Sequence, residues 1–181
     1  MSHIAIIGLG PLGLRMASSI KVARPNVEIT GFDPDSSFSK AATASGAVNR
    51  TMKTVEQAVA GSQLIVLATP LPATEDVLRS LGSVLSDDVV VTDTCPLKTP
   101  VLAWADAYLG PSVAFVGGHP IIPSEGTGDV SSMDGVTYCV TPTENTKPQA
   151  LDLVLDLIAA IGAQPFFHGH KGRIGHHFAF L

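Results

Sequence analysis

The sequence predicts an α/β protein with a doubly wound, mostly parallel sheet and helices on both of its faces. Short apolar runs alternate with helical patterns along the chain, and the connections between them are short. Residues 63–68 form a run that is continuously apolar after Gln63, as expected for a strand buried on both faces of a parallel sheet. The first apolar run, residues 4–7, stops at a glycine cluster that opens a helix. Parallel strands joined by helices need right-handed crossovers, and these build a doubly wound sheet.

The glycine cluster at residues 8–13 has the form GxGxxG and precedes a helical pattern over residues 14–20. In such a unit the first glycine permits the turn, the second admits a pyrophosphate and the third lets the helix pack on the strand. The helix dipole and its free amides favour the phosphates, and a proline at the first helical position needs no N–H partner. This pattern indicates a Rossmann-type dinucleotide-binding domain. The residues that we expect at the cofactor are Gly8, Gly10, Pro11, Leu12 and Gly13.

An acid at the end of the second predicted strand indicates which dinucleotide is bound. This strand, residues 27–33, ends in Asp33, which comes 20 residues after Gly13. A carboxylate at this spacing can accept hydrogen bonds from the ribose hydroxyls. Residues 34–37 contain no Lys or Arg to hold a 2′-phosphate, which Asp33 would repel. The unit therefore predicts NAD rather than NADP; the alternative is an acid that only caps a helix or a turn.

Composition limits the classes of function. Of the 181 residues, 45% are hydrophobic and 15% are charged, which is typical of a compact globular domain rather than a disordered chain. The net charge of −5 argues against nucleic acid or an anionic membrane surface as a partner. No apolar run reaches transmembrane length, and we expect no signal peptide because the chain starts directly in a strand. The two cysteines, Cys95 and Cys139, lack metal-ligand spacing and fit a reduced, cytoplasmic setting.

The remaining elements continue the alternation of helix and strand. Helices are predicted over residues 38–45, 55–60, 73–85 and 148–161, with a further one ending near residue 109. Strands are predicted over residues 89–92, 113–116, 136–140 and 163–167. Residues 69–72 and 117–120 read as short loops, and residues 121–135 as a longer loop that can shape a site. We expect a dinucleotide-binding domain over residues 1–167, and a tail or the truncated start of a helical dimerisation domain over residues 168–181.

Ligands of doubly wound sheets bind beyond the carboxyl ends of the strands. Three segments follow predicted strands there, at residues 69–71, 93–98 and 117–120. His119, in the last of them, is the candidate acid–base group. An imidazole titrates near neutrality, so it can take an alcohol proton while a hydride leaves the same carbon. The alternative is a solvated or hydrogen-bonded loop histidine.

Two other side chains on these segments have simpler explanations than catalysis. Cys95 has no base near it in the sequence, and a buried thiol accounts for it better than a nucleophile does. Lys98 stands near a predicted helix start. It could bind an anion there or could simply be solvated.

Several stretches beyond the glycine motif resemble one family. They are residues 67–70, 91–98, 115–128 and 138–143, of which the Gly-Gly-His-Pro sequence with Glu and Gly downstream is the most particular. Over residues 3–167 the chain resembles the NAD-binding domain of prephenate/arogenate dehydrogenases. The resemblance implies an oxidative decarboxylation in tyrosine biosynthesis. A hydride passes to NAD from the ring carbon that bears the hydroxyl, and loss of carbon dioxide makes the ring aromatic.

The resemblance also implies roles for individual residues and partners. A histidine matching His119 accepts the hydroxyl proton of the substrate, which is prephenate or arogenate. The family forms dimers through a helical domain, so a homodimer is expected. Further residues expected at the cofactor are Thr69, Pro70 and Thr94, and those expected at the substrate are Ser124 and Glu125.

Two departures from the family pattern leave alternatives open. Pro96 stands where the family usually has a serine that hydrogen-bonds the histidine and the substrate hydroxyl. The sequence stops at Leu181, where the family continues into the helical domain that supplies an arginine for the substrate carboxylate. The chain could therefore be a non-catalytic NAD-binding module, or a truncated relative completed by another chain. A small reductase resembling the coenzyme F420-dependent NADP reductases is a third possibility, against which Asp33 argues.

The last 14 residues carry four histidines followed by an apolar end at residues 178–181. No cysteine or acid accompanies these histidines, so we expect no metal site there. The apolar end is expected to pack on another subunit. The four histidines are His168, His170, His176 and His177.

Overall fold

The computed structural model describes residues 1–85, 88–122 and 132–168, which alternate between strands and helices. The strands are β1 (His3–Ile7), β2 (Glu28–Phe32), β3 (Arg50–Thr51), β4 (Leu64–Leu67), β5 (Val90–Asp93), β6 (Ala114–Ile121), β7 (Thr137–Thr141) and β8 (Gln164–Phe167). The helices are α1 (Pro11–Ala23), α2 (Ser36–Ala44), α3 (Val55–Val59), α4 (Leu71–Leu81), α5 (Lys98–Tyr108) and α6 (Pro148–Ala160).

All eight strands join one sheet in the order β3-β2-β1-β4-β5-β6-β7-β8. Every neighbouring pair is parallel except β6 and β7, which run antiparallel. The chain moves outward from β1 to β3 on one side and then returns to place β4 on the other side of β1. The order therefore reverses between β1 and β4, where a crevice opens beyond the strand ends. The predicted doubly wound, mostly parallel sheet is confirmed.

Successive residues of the central strands face opposite sides of the sheet and fill two separate cores. In β1, Ile4 and Ile6 belong to one core, whereas Ala5 and Ile7 belong to the other. Helices α1, α2 and α6 contribute to the first core, and α3, α4 and α5 contribute to the second. Burial on both faces explains why β4 is apolar at every position rather than at alternate ones.

Helix α4 begins earlier than the sequence pattern indicated. Leu71 and Pro72, predicted as part of a loop, lie in its first turn, where a proline leaves no hydrogen bond unmade. The helix also ends at Leu81 rather than at residue 85. The start of α4 is therefore brought to the edge of the crevice.

The Gly-Gly-His-Pro segment, predicted as a loop, is the second half of β6. Its residues pair with β7, and His119 stands opposite Cys139 in the register. The pairing of β5 with β6 stops at Thr92 and Val116, so this half of β6 projects beyond the carboxyl end of β5. Glycine and proline favour a loop locally, but the backbone bonds to β7 outweigh that preference. His119 consequently lies on a strand rather than on a free loop.

Candidate active site

A cleft of about 650 Å³ lies beyond the carboxyl ends of β1, β2, β4 and β5, at the point where the strand order reverses. Most of the residues expected at the cofactor line this cleft, although their contact with a cofactor stays a prediction. They are Gly8, Gly10, Pro11, Leu12, Asp33, Thr69, Pro70 and Thr94. The sequence reasoning missed the apolar part of the wall, because its residues come from three different elements. This part comprises Phe32, Phe38, Leu71 and Val77.

The three glycines of the motif differ in what surrounds them. Gly8 has a φ of +94°, and a Cβ there would lie 2.5 Å from the carbonyl oxygen of Ala68. A Cβ on Gly13 would lie 1.9 Å from the carbonyl oxygen of Gly8, so helix α1 packs directly on the turn. A Cβ on Gly10 would meet nothing within 4 Å. The open space beside Gly10 is where the motif admits a pyrophosphate.

The carboxylate of Asp33 is held by two main-chain amides. Leu9 N–H donates to Oδ2 at 2.7 Å, and Asp35 N–H donates to Oδ1 at 2.8 Å. A carboxylate offers about four acceptor sites, so these two bonds leave capacity for further donors. The side chain is thus fixed at the cleft wall and can still accept hydrogen bonds from hydroxyl groups.

The hydroxyl and thiol groups in and behind this wall bond to one another and to the main chain. Thr69 Oγ1 and Thr74 Oγ1 are 2.8 Å apart, and Thr94 Oγ1 donates to the carbonyl oxygen of Leu67 at 3.2 Å. The Sγ of Cys95 lies 3.3 Å from Thr74 Oγ1. Burial raises the pKa of the Cys95 thiol, which keeps it protonated and unreactive. The buried-thiol interpretation of Cys95 fits this arrangement.

Among the described residues, a ring hydrogen bond joins His119 to the cleft wall. Its Nδ1 lies 3.1 Å from the main-chain oxygen of Thr94, a residue that lines the cleft. A carbonyl oxygen can only accept, so the proton of the neutral imidazole resides on Nδ1. Nε2 is then unprotonated and can act as a proton acceptor. His119 itself is half-buried beside the cleft rather than part of its wall.

A buried ion pair beside His119 escaped the sequence reasoning. Asp93 is fully buried, and its Oδ2 is paired with the ammonium group of Lys98. Oδ2 also accepts a bond from Cys95 N–H at 3.0 Å, and Oδ1 accepts one from Gly118 N–H at 3.0 Å. Lys98 Nζ in turn donates to the carbonyl oxygen of Gly118 at 2.6 Å. Lys98 is therefore neither solvated nor free to bind an anion, and an acid that ends an apolar strand five residues before a lysine was the available signal.

The charge of the cleft is negative. Its described lining residues include two aspartates, Asp33 and Asp76, and no lysine or arginine. Pro96 is exposed in the wall, where it offers no hydrogen-bond donor. The two residues expected at the substrate, Ser124 and Glu125, lie outside the described residues.

The expectations for the histidines and for the apolar end of the last segment also fall mostly outside the described residues. His168 is described and exposed, whereas the other three histidines of the last segment and its apolar end lie outside the described residues. Across residues 1–85, 88–122 and 132–168, no three His, Cys, Asp or Glu side chains are grouped so as to hold a metal ion. Within those same ranges, no helix has the length and apolar character needed to cross a bilayer.

Comparison with known proteins identifies the family. Residues 16–166 match the family model described as "Prephenate dehydrogenase, nucleotide-binding domain". The chain belongs to this family. The match begins just after the glycine motif, so the interpretation of residues 8–13 rests on their own geometry.

Individual members of the family agree with this assignment. The chain is 31% identical over 147 residues to prephenate dehydrogenase from Lactococcus lactis, covering 78% of this chain and 41% of that protein. It is 28% identical over 165 residues to the Bacillus subtilis enzyme of the same name, covering 88% and 44%. The chain thus spans less than half the length of these curated relatives.

A solved structure shows the same fold. The crystal structure of prephenate dehydrogenase from Aquifex aeolicus in complex with hydroxyphenyl propionate and NAD+ superposes with a TM-score of 0.81. It shares 24% sequence identity, and the match covers 93% of this chain and 60% of that one. At this identity the likeness establishes the fold and leaves the chemistry to the site.

Proposed function

We propose that this chain binds NAD and provides the hydride-transfer site of a prephenate or arogenate dehydrogenase. The single observation that carries the proposal is the bond from His119 Nδ1 to Thr94 O, which leaves Nε2 unprotonated beside a dinucleotide-type cleft. Membership of the family supports it, as do the names of the relatives in which the same nucleotide-binding domain occurs.

The residues of the cleft fit NAD. The open space at Gly10 and the start of α1 suit the pyrophosphate, because Leu12 and Gly13 are in the first helical turn and their amides have no partner within the helix. Asp33 has acceptor capacity for the ribose hydroxyls. Phe38 gives this end of the cleft a flat apolar surface for the adenine base.

The proposed role of His119 is to take the proton of the substrate hydroxyl. Bound NAD supplies the hydride acceptor. As the hydroxyl carbon becomes a carbonyl, the O–H proton passes to Nε2 of His119, whose Nδ1–H keeps its bond to Thr94. The bond from the ring to the departing carboxylate then breaks, its electron pair makes the ring aromatic, and the carbonyl oxygen regains a proton as a phenol.

The described residues of the cleft do not supply the positive charge that would bind the carboxylates of the substrate. Prephenate carries two carboxylates, whereas the cleft presents Asp33 and Asp76, and Lys98 is already paired with Asp93. Cations must therefore come from another segment or another chain. We propose that a homodimer in the cytoplasm completes the site; the two free cysteines are in keeping with a reducing compartment. Ser124 and Glu125 are proposed to contact the substrate.

The second candidate function is that of an NAD-binding module that does not catalyse substrate oxidation by itself. The specific observations that favour it are Pro96, which offers no hydrogen bond at the reacting centre, and the cation-poor cleft wall. Both candidates share the cofactor site and differ only in catalysis.

One experiment separates the two candidates. The purified chain is titrated with NAD in a calorimeter and then assayed for NADH formation with prephenate and with arogenate. NADH formation that is lost in His119→Asn supports the dehydrogenase. Binding of NAD without NADH formation supports the module, and failure to bind NAD would contradict both.

A further inference from the structure

The two partners of the Asp93–Lys98 ion pair hold both backbone groups of a third residue, Gly118. Asp93 Oδ1 accepts the Gly118 N–H at 3.0 Å, and Lys98 Nζ donates to the Gly118 carbonyl oxygen at 2.6 Å. We call this set of three residues the clamp. It fixes the backbone of Gly118, through both of its flanking peptide groups, against the end of β5 and beyond the last β5–β6 pair of the sheet.

The clamp is buried and tightly fitted. Asp93 is 0% exposed and the Lys98 side chain is 14% exposed. A Cβ on Gly118 would lie 2.5 Å from the main-chain oxygen of Asp93 and 2.8 Å from the ring of Tyr138. Tyr138 O–H donates to that same Asp93 oxygen at 3.3 Å. The Gly118 backbone therefore passes through a slot that only glycine can occupy.

Stability alone gives a weak reason for such an arrangement. Taking two charges out of water is unfavourable, and well-packed apolar residues often stabilise a protein as well as a buried ion pair does. A buried ion pair is better explained when it holds another group in position. Here two members of the clamp directly precede the residues of the proposed site. Thr94 follows Asp93 in the sequence, and His119 follows Gly118.

These two residues are joined by the ring hydrogen bond already described, from His119 Nδ1 to Thr94 O at 3.1 Å. The segments 93–94 and 118–119 are thus bonded to each other twice, once through the clamp and once through the imidazole. If the backbone of Gly118 were released from the clamp, we would expect the ring to lose its alignment with the Thr94 carbonyl.

We propose that Asp93 and Lys98 are positioning residues for His119: the clamp holds the imidazole against Thr94 O, keeps its proton on Nδ1 and leaves Nε2 as the acceptor. This inference rests on the proposed function, since it takes His119 as the group that receives the substrate proton. In this role Lys98 acts through the backbone of Gly118, and it is not part of the described cleft wall.

The test compares the unmodified chain with the double variant Asp93→Asn/Lys98→Met. This variant removes both charges together, so neither is left buried alone, and the methionine retains the aliphatic stem without the donor to Gly118 O. The protonation site of His119 is read from the ring nitrogen shifts of ¹⁵N-histidine-labelled protein, with His119→Asn used to assign the signals. Calorimetry with NAD and the split between kcat and KM complete the measurements.

The proposal expects the unmodified chain to hold the proton on Nδ1 at neutral or higher pH. In the double variant we expect a mixture of the two neutral tautomers of His119, with the proton on Nδ1 or on Nε2. We also expect kcat to fall about 100-fold, the effect of a misplacement of roughly 1 Å. NAD affinity and KM should change little. The single variant Lys98→Arg, which keeps a cation and a hydrogen-bond donor beside Asp93, should retain much of the kcat of the unmodified chain.

The matched control is Arg24→Met/Asp156→Asn, which neutralises an ion pair between α1 and α6 outside the cleft. It should leave both the ring shifts and kcat as they are in the unmodified chain. A folded clamp variant with unaltered ring shifts and kcat would overturn the proposal. So would an unmodified chain with its proton on Nε2, a result that needs no variant to fold.

The ring shifts are measured without substrate, so they separate this inference from the proposed function. If the chain shows no turnover, the proton position in the clamp variant still decides the matter. If turnover occurs and His119→Asn leaves it intact, the proposed role of His119 fails whatever the ring shifts show.

Discussion

The main-chain N–H of Leu9 donates to Oδ2 of Asp33 at 2.7 Å, which joins the glycine turn after β1 to the end of β2. The turn and the acid are the two features expected to recognise different parts of one ligand, the pyrophosphate and the ribose. Because a direct hydrogen bond connects them, their separation is set by the protein before any ligand binds. We expect this contact to govern the choice between NAD and NADP.

We expect micromolar affinity for NAD and much weaker affinity for NADP, because the Asp33 carboxylate should accept hydrogen bonds from the ribose hydroxyls and repel a 2′-phosphate. Asp33→Asn combined with Ser36→Arg should narrow the difference. Calorimetric titration of both cofactors measures it. Asp35→Asn is the matched control, since Asp35 caps α2 and is not part of the cleft wall. Equal affinities in the unmodified chain, or a preference for NADP, would refute the role given to Asp33.

Alanine at two glycines of the motif should have opposite consequences. Gly10→Ala should fold normally, because its Cβ enters open space, but should weaken NAD binding, because that space is proposed to hold the pyrophosphate. Gly13→Ala places a Cβ 1.9 Å from Gly8 O and should destabilise the fold by about 1–3 kcal/mol or more. Thermal unfolding and NAD titration distinguish the two effects. Unchanged NAD affinity in Gly10→Ala would show that the pyrophosphate lies elsewhere.

His119→Asn should lower kcat by roughly 10²–10⁴, the usual contribution of general base catalysis. The affinity for NAD should hardly change, because His119 lies beside the cofactor cleft and not in its wall. His168→Asn serves as the control, as His168 is an exposed histidine after β8. Steady-state rates for the three proteins provide the comparison, and full activity in His119→Asn would remove this residue from the mechanism.

The chain by itself should turn over prephenate and arogenate slowly, because the cleft wall carries two aspartates and a wet site weakens every charge interaction. Pro96→Ser should raise the rate on the order of tenfold by restoring one hydrogen bond. Light scattering alongside the assays should show self-association. Vigorous turnover by a monomer would mean that no further chain is needed to complete the site.

The Arg24–Asp156 pair, with Nη1 and Oδ2 2.6 Å apart, should make a small part of the stability pH-dependent. The hydrogen bond from Arg24 lowers the pKa of Asp156, so the stabilisation is complete above the unfolded carboxyl pKa of about 4 and is lost as the pH falls through the folded value. Both side chains are partly exposed, so Asp156→Asn should cost only about 0.2–1 kcal/mol at pH 7. Urea unfolding at low salt should show this difference shrinking below about pH 4; a difference that grows there would contradict the sign.

Much of the fold could be predicted because it depends on interactions between residues close in sequence. The strand, turn and helix around residues 8–13 are encoded by adjacent residues, and the crevice that they help to form follows from the order of strands. Asp33 could be assigned from spacing alone, and the structure places it in the cleft wall. The roles of Ser124 and Glu125, which lie outside the described residues, stay predictions.

What the tertiary structure decided concerns residues brought together from distant parts of the chain. The segment around His119 carries glycine and proline, which locally favour a loop, yet backbone bonds to β7 make it a strand. The sequence suggested that Lys98 binds an anion or is simply solvated, because its partners, Asp93 and Gly118, lie on β5 and β6. A local pattern reports the preferences of a short segment, whereas a buried charge must be satisfied by whatever groups packing places beside it. The sequence by itself therefore determined the type of fold and the cofactor cleft, and only the packing of β5, β6 and β7 decided how His119 is held.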